Sequence, residues 1–444
     1  MAARPFLRST GSAIILVALL VAAFIGNIAV TPLIEGPSFR AMLEKETAKG
    51  MHFESAHYAP FHRVGIFGLR ADSGAGEKGL KTIVSLQANQ VYGTFNPLGV
   101  LLRRWQMQSL HFATGTVRLQ KTEPKPNEPK PPGLPWYLFF WPDRVYLGDI
   151  QCDDANVLFL LQNKESGIHD TFLEVTPNGR DFEYDAKGGT FTTPDTPQLN
   201  VEHIHLLVRK PRLTCSMLVL GDDLAHPEQQ LSVTGHAGLQ QDRGIQVAAD
   251  FHSLNAAPWV PGKLRESVRG QFSGHLDYKS TGTGLETATA TGHFTLANGS
   301  LHDLKAFRTY ITATKSPDPG DLTLNVCETD VKMESGGAIT LENLKVESTG
   351  VFRVTGTIKL AKDKTLSGEL EIGVTEPYLR WLPTAESAIF TRVDGPYRVT
   401  TVHLSGTSAK PQQDLSPRIA KELERHPFVA LKLFFNSTDA WFED

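Results

Sequence analysis

GAITLENLKVESTGVFRVTGTIKL, residues 337–360, is the stretch that decides the fold. Ile339 and Leu341 alternate with Thr340 and Glu342, and Phe352 and Val354 alternate with Arg353 and Thr355. Successive side chains of a strand point to opposite faces, so this spacing predicts strands with one apolar and one polar face. The same period runs outward. Leu322, Leu324 and Val326 alternate with Thr323, Asn325 and Cys327. Leu370, Ile372 and Val374 alternate with Glu371 and Gly373, while Tyr397 and Val399 flank Arg398, and Val402 and Leu404 flank His403. That is the pattern of antiparallel sheet. A loose cadence of glycine, one residue, then an apolar residue (Gly274-His-Leu276, Gly292-His-Phe294, Gly356-Thr-Ile358) fits repeated hairpins. Turn glycines alone would produce much of it.

Toward the N-terminus, strand-like stretches cover His62–Leu69, Thr82–Val91 and Met107–Leu119, with a turn and brief helix at Asn96–Leu102. Ser38–Lys49 reads as a short helix, with Ser38 as N-cap and Gly50 at the C-terminal stop. Thr122–Pro135 (TEPKPNEPKPPGLP) is too rich in proline for a sheet ladder. It is either a linker between domains or a long loop within one sheet. Trp136–Trp141 (WYLFFW) follows as a core or interface cluster. Helical spacing is nearly absent from the middle of the chain. It returns at Pro417–Arg425 and Pro427–Phe435, in a tail whose apolar residues either cap the sheet or touch a membrane or partner.

One segment stands apart. Ala13–Val30 carries no charge, and 18 residues of helix span roughly 27 Å, close to the thickness of a bilayer core. Arg4 and Arg8 precede it and Glu35 follows, which predicts a cytoplasmic N-terminus and an exported remainder. Ile14, Leu16, Leu19, Phe24 and Ile28 would face lipid. Val21-Ala22-Ala23 keeps a cleaved signal peptide open as the rival reading, but the apolar run continues past that site.

The 444 residues carry a net charge of -4, which offers no basic face to nucleic acid. Cys152, Cys215 and Cys327 form no C-x-x-C pair. They read as buried thiols, and in an oxidising compartment two of them could pair. No G-x-S-x-G, H-E-x-x-H or phosphate-binding loop is present. His203 and His205 share one strand face, workable for a metal but commoner as solvated imidazoles. Asp153-Asp154 and Asp222-Asp223 are adjacent carboxylates, which in a strand diverge and in a turn cap or stay solvated. Asn298-Gly299-Ser300 and Asn436-Ser437-Thr438 match the glycosylation pattern, and Asn298-Gly299 reads first as a hairpin turn. The expectation is a protein without catalytic residues, metal or cofactor.

So many apolar strand faces need cover, and few helices are available to provide it. The sheet either folds on a second sheet as a sandwich or curls into a trough with a greasy lining. A trough would take acyl chains, with Phe294, Leu296, Leu322, Leu324, Ile339, Leu341, Phe352 and Val354 as the candidate lining.

The order of these features resembles the AsmA-like family of bacterial envelope proteins. The likeness is carried by the basic N-terminus with its apolar segment, the short helix ending at Gly50, and Val91–Leu119 (VYGTFNPLGVLLRRWQMQSLHFATGTVRL). Phe294–Leu301, Gly337–Leu344, Val354–Leu360 and Val402–Thr407 followed by Pro411 carry it in the C-terminal half. The resemblance implies a single-pass inner-membrane protein with a periplasmic β-groove, handling phospholipid for transport or outer-membrane assembly beside other envelope proteins. Family members that bridge the envelope are much longer, which points to lipid binding, partial shuttling or cooperation with a second protein.

The expected fold is therefore mainly β. An N-terminal transmembrane helix precedes an elongated, curved antiparallel sheet with few short helices and a C-terminal helix. The expected division is 1–35 anchor, 36–121 N-terminal β region, 122–135 linker or loop, 136–415 groove and 416–444 helical tail. The rival to lipid binding is a non-catalytic envelope scaffold with a closed sandwich core.

Overall fold

The computed structural model describes residues 21, 35–37, 51–52, 54–59, 63–72, 83–95, 104–120, 144–161, 164–178, 181–194, 196–209, 212–223, 225–238, 244–260, 262–282, 285–382, 384–426 and 429. The chain divides into two units, Met1–Val208 and Arg209–Asp444. Both are mainly β, and each is built as a strand ladder.

The first unit holds β1 (Met51–His52), β2 (Ser55–Ala59), β3 (Arg63–Phe67), β4 (Leu69–Asp72), β5 (Ile83–Phe95), β6 (Arg104–Gln120), β7 (Arg144–Leu161), β8 (Lys164–Asn178), β9 (Asp181–Lys187), β10 (Thr190–Thr192) and β11 (Leu199–Arg209). β3 and β4 lie end to end along one edge of β5, and β6 takes the other edge. β7 joins β6 in parallel, and β8 returns antiparallel. β9 and β10 lie end to end between β8 and β11. Gly188 and Gly189 break that strand in two at φ 73° and 82°. A Cβ on Gly189 would come within 2.1 Å of the His169 carbonyl oxygen, so no larger residue fits.

The parallel β6–β7 pair corrects the expected all-antiparallel sheet. A parallel step needs a crossover of a dozen or more residues. Residues 121–143 supply it, and the proline-rich 122–135 lies inside them, outside the described residues. The strands on either side are hydrogen-bonded neighbours from Arg104 opposite Arg144 to Gln120 opposite Leu160.

The second unit runs β12 (Arg212–Gly221), β13 (Gln230–Gly238), β14 (Ile245–Asn255), β15 (Val268–Ser280), β16 (Ala288–Leu301), α1 (Lys305–Thr314), β17 (Leu322–Leu324), β18 (Val326–Met333), β19 (Ile339–Ser348), β20 (Phe352–Leu360), β21 (Leu366–Thr375), β22 (Arg392–Asp394), β23 (Tyr397–Thr407), β24 (Lys410–Gln413) and α2 (Leu415–Glu424). The ladder is a meander in which each long strand pairs antiparallel with the next. Two short strands are side branches: β17 shares β16 with β18, and β22 shares β23 with β21. The single strand expected through Leu322–Cys327 is thus two pieces. Asn325 makes the break, donating its N–H to Glu347 O at 2.8 Å and accepting the Thr349 N–H on its side chain at 2.8 Å.

α1 was not legible as a helix in the alternation of its surroundings, although Phe307, Tyr310 and Ile311 have helical spacing. Asn298-Gly299 is not a hairpin turn. It lies within β16, where Asn298 adopts φ 50° and adds an extra residue opposite Gly270.

Such bulges carry the fold. Asn298, Ser253 (φ 48°) and Asn343 (φ 51°) each adopt a left-handed conformation where the ladder register shifts. In β19 the apolar face is Ile339 and Leu341 before Asn343, then Leu344 and Val346 after it. Without the extra residue the second pair would turn to the polar face.

The expected anchor Ala13–Val30, the helix Ser38–Lys49, the turn Asn96–Leu102, the aromatic run Trp136–Trp141 and Pro427–Phe435 lie outside the described residues, apart from Val21 and Val429. Among the described residues no helix is long and apolar enough to cross a membrane. The C-terminal helix is present as α2, against the expected Pro417–Arg425.

Asn343 tests the register argument. Replacing it with Val places a β-branched residue at positive φ and removes the hydrogen bond from its Nδ2 to Asp330 Oδ2 (2.7 Å). The expected loss is about 2 kcal/mol in urea unfolding. Asn343→Gly keeps the backbone geometry and should lose well under half of that.

Candidate functional site

Directly opposed residues of neighbouring strands share a face, so the register alone lays out each surface. In the second unit one row reads Leu218, Val233, Ala249, Leu276, Gly292, Val331, Leu341, Ile358, Gly368 and Leu404. It crosses ten strands without a polar side chain. At about 4.8 Å per strand it is roughly 43 Å long. The first unit has its own row: Val91, Phe112, Cys152, Leu173, Ala186 and Ile204.

The opposite face is polar. Next to the long row on β13–β19 stand Ser232, Asp250, His275, His293, Asp330 and Glu342, one per strand. His275 Nδ1 lies 2.6 Å from Asp250 Oδ1, and its Nε2 lies 3.2 Å from Asp277 Oδ2. His293 Nδ1 lies 2.7 Å from Asp330 Oδ1. Hydrogen bonds to Asp250 and Asp277 raise the His275 pKa above its ordinary value. Asn343 and His293 hold the Asp330 carboxyl below its ordinary range.

All eight candidate lining residues fall on the apolar face. Phe294, Leu296, Ile339, Leu341 and Val354 are half-buried. Leu322 and Leu324, by contrast, are buried at 3% and 6% exposure. Leu322 and Phe352 pack with Phe307, Tyr310 and Ile311 of α1. Leu322 and Phe352 thus belong to a sealed end, not to an open surface. Beside it, Leu379, Leu382, Ala385, Ile389 and Phe390 pack against Ile372, Val374 and the α2 residues Leu415, Ile419 and Leu423. Trp381 Nε1 donates to Tyr310 Oη at 3.0 Å, joining the two clusters. The sealed end therefore covers the face at β20 and β21.

Elsewhere the face has one small aromatic cover among the described residues. Trp259 stands edge-on to Phe251 and Phe272, with centroids 6.2 and 5.4 Å away, and Phe251 meets Phe294 at 5.5 Å. The Trp259 indole nitrogen is buried without an acceptor among the described residues. Leu218, Val233, Leu276, Val331, Leu341 and Ile358 are only half-buried, whereas Leu382 under the helices is 2% exposed. A second sheet packed on this face would bury them all. Residues on β12–β15 such as Leu218, Val233 and Leu276 were missed as lining, although the same alternation marks them.

The other candidates resolve locally. His203 and His205 both face Asp185, whose Oδ1 lies 3.0 and 3.1 Å from their rings. Burial works against that carboxylate, yet the two imidazole hydrogen bonds hold its pKa below the ordinary value. Among the described residues no group of three or more could hold a metal. Asp153 meets His111 at 3.0 Å, while Asp154 Oδ1 is buried without a partner among the described residues. Asp222 and Asp223 accept backbone N–H groups of Asn255 and Ala225. Neither pair converges. The three cysteines are free, and burial pushes each thiol pKa up, which makes them poor nucleophiles.

No protein-family model, curated protein or solved structure matches this chain.

The His275 geometry has a signed consequence. Its pKa is raised from 6.5, so the ion pairs stabilise the fold fully below about pH 6.5 and fade as pH rises through the folded-state value. The groups are half-exposed, so the effect is screened by salt. Unfolding midpoints should fall as pH rises above 6.5, and the Asp250→Asn, Asp277→Asn double variant should flatten that part of the profile.

Proposed function

We propose that this is a membrane-anchored envelope protein that binds phospholipid acyl chains on the apolar face of its second unit. In that role it contributes to lipid transport or outer-membrane biogenesis. One observation carries the reading: an apolar row ten strands long, left half-exposed over most of its course. Exposed apolar surface of this extent needs a ligand, a partner or a membrane. An acyl chain suits it because every methylene withdrawn from water contributes about 0.8 kcal/mol when fully buried. A row without polar stops holds chains of any length and reads no headgroup.

The uncharged segment Ala13–Val30 supports attachment at a bacterial inner membrane, with the N-terminus cytoplasmic and both units periplasmic. Phospholipid and the inner membrane are then its partners, with other envelope proteins receiving or supplying lipid. A sealed scaffold core is supported at one end only, where α1 packs against the cluster of Leu322 and α2 against that of Leu382 and Phe390.

A photoreactive amino acid in place of Leu341 in the full chain, activated in living cells, should give phospholipid adducts by mass spectrometry. The same probe at Glu342, on the polar face, should give none. Adducts at neither position, or equally at both, would sink the reading. Val331→Asp should bring adducts at a Leu341 probe down to background while far-ultraviolet circular dichroism stays unchanged.

A further inference from the structure

At one end of β12–β16 the polar face holds a hollow of about 500 Å³. Part of its lining is a cross-strand row: His236 opposite Gln246, Gln246 opposite Lys279, and Lys279 opposite Thr289. Arg212 begins β12 on the same face, opposite Gly238. Ser280 builds the rim: it is 5% exposed, donates from Oγ to the Gly282 carbonyl at 2.7 Å, and lies 3.0 Å from Thr287 Oγ1.

The lining is rich in donors. It presents a guanidinium, an ammonium, an imidazole, an amide and several hydroxyls, and contains no carboxylate among the described residues. Among the described residues, Arg212, His236 and Lys279 make no ion pair, while some other basic side chains of this unit do. Lys332 meets Glu334 at 3.4 Å, Lys345 meets Glu328 at 3.9 Å, and Arg398 meets Glu386 at 2.9 Å. The carboxylate nearest in register, Asp277, is engaged by His275 at 3.2 Å. Unmatched cations gathered in one hollow repel one another, and a bound anion removes that repulsion. The arginine fork and the surrounding hydroxyls match the oxygens of a phosphate, which can accept several hydrogen bonds at once.

The hollow also reaches the margin of the sheet. Ile245 and Ser280 oppose each other on the apolar face and line it too. We infer that this hollow binds a phosphate group. Its source is either the headgroup of a phospholipid whose chains lie on the apolar face, which rests on the function proposed above, or free phosphate. In the first case the two faces divide the labour: the row takes chains of any kind, and the hollow favours a phosphate-bearing head.

The test uses the full chain in a nonionic detergent, with carbon-13-labelled histidine and the His236 ring resonance assigned by its loss in His236→Gln. The probes are inorganic phosphate, dihexanoyl phosphatidylglycerol, and a dihexanoyl glyceride that lacks phosphate. Saturable shifts of the His236 resonance with phosphatidylglycerol, tighter than with inorganic phosphate, identify the headgroup. Equal or tighter binding of inorganic phosphate identifies the free ion. In both cases Arg212→Gln with Lys279→Gln, two exposed positions, should weaken binding about tenfold. Adducts at a Leu341 probe should persist in that variant, which separates failure of the hollow from failure of the acyl-chain reading. No saturable shift with any probe, the same shift with the phosphate-free glyceride, or unchanged affinity in the double variant overturns the inference.

Discussion

Everything in the second unit depends on keeping one row of apolar side chains on one face across ten strands. A strand has a side-chain period of two, so a slip of one residue sends its whole apolar set to the other side. The ladder makes several such slips and cancels each with a bulge. Phe251 is followed on its face by Leu254, Leu296 by Gly299, and Leu341 by Leu344. Ser253, Asn298 and Asn343 absorb the extra residue at positive φ, which asparagine tolerates better than most residues. The row is thus held in place by backbone conformation as well as by hydrophobicity.

The cover over that row is uneven, and the unevenness separates a sealed core from an open face. At β20 and β21 the helices and the loop between β21 and β22 bury Leu322, Leu382, Ala385 and Phe390, as the core of a small domain would. Toward β12 the same face relies on neighbouring strands and Trp259 for shielding. A protein that needs a folded core and an open apolar surface can have both if they occupy different lengths of one sheet. The sealed end anchors the ladder, and the open length keeps its apolar side chains half-exposed.

The polar face is equally uneven. Across its middle, Asp250 and Asp330 meet the rings of His275 and His293 from strand to strand. Near the strand ends Arg212, His236 and Lys279 stand together without a carboxylate among the described residues. Four residues along β15, from His275 to Lys279, the surface passes from carboxylate–imidazole pairs to surplus donors. Such local imbalance does not show in a net charge of -4 for the whole chain.

The sequence by itself determined which residues face which way. Alternation in residues 337–360 and its echoes specify strands with an apolar and a polar side, because a pleated backbone permits no other arrangement of that pattern. It also fixed the candidate face, since Phe294, Ile339, Leu341 and Val354 lie on it together. Three things waited for the tertiary structure. The parallel step from β6 to β7 depends on where a long proline-rich connection delivers the chain, which local pattern does not encode. The burial of Leu322 depends on α1, whose short helical spacing is drowned by the strands around it. The hollow of Arg212, His236 and Lys279 depends on register between strands far apart in sequence. Period fixes the face of each residue, but only pairing decides its neighbours, and neighbours decide whether a face is sealed, open or charged.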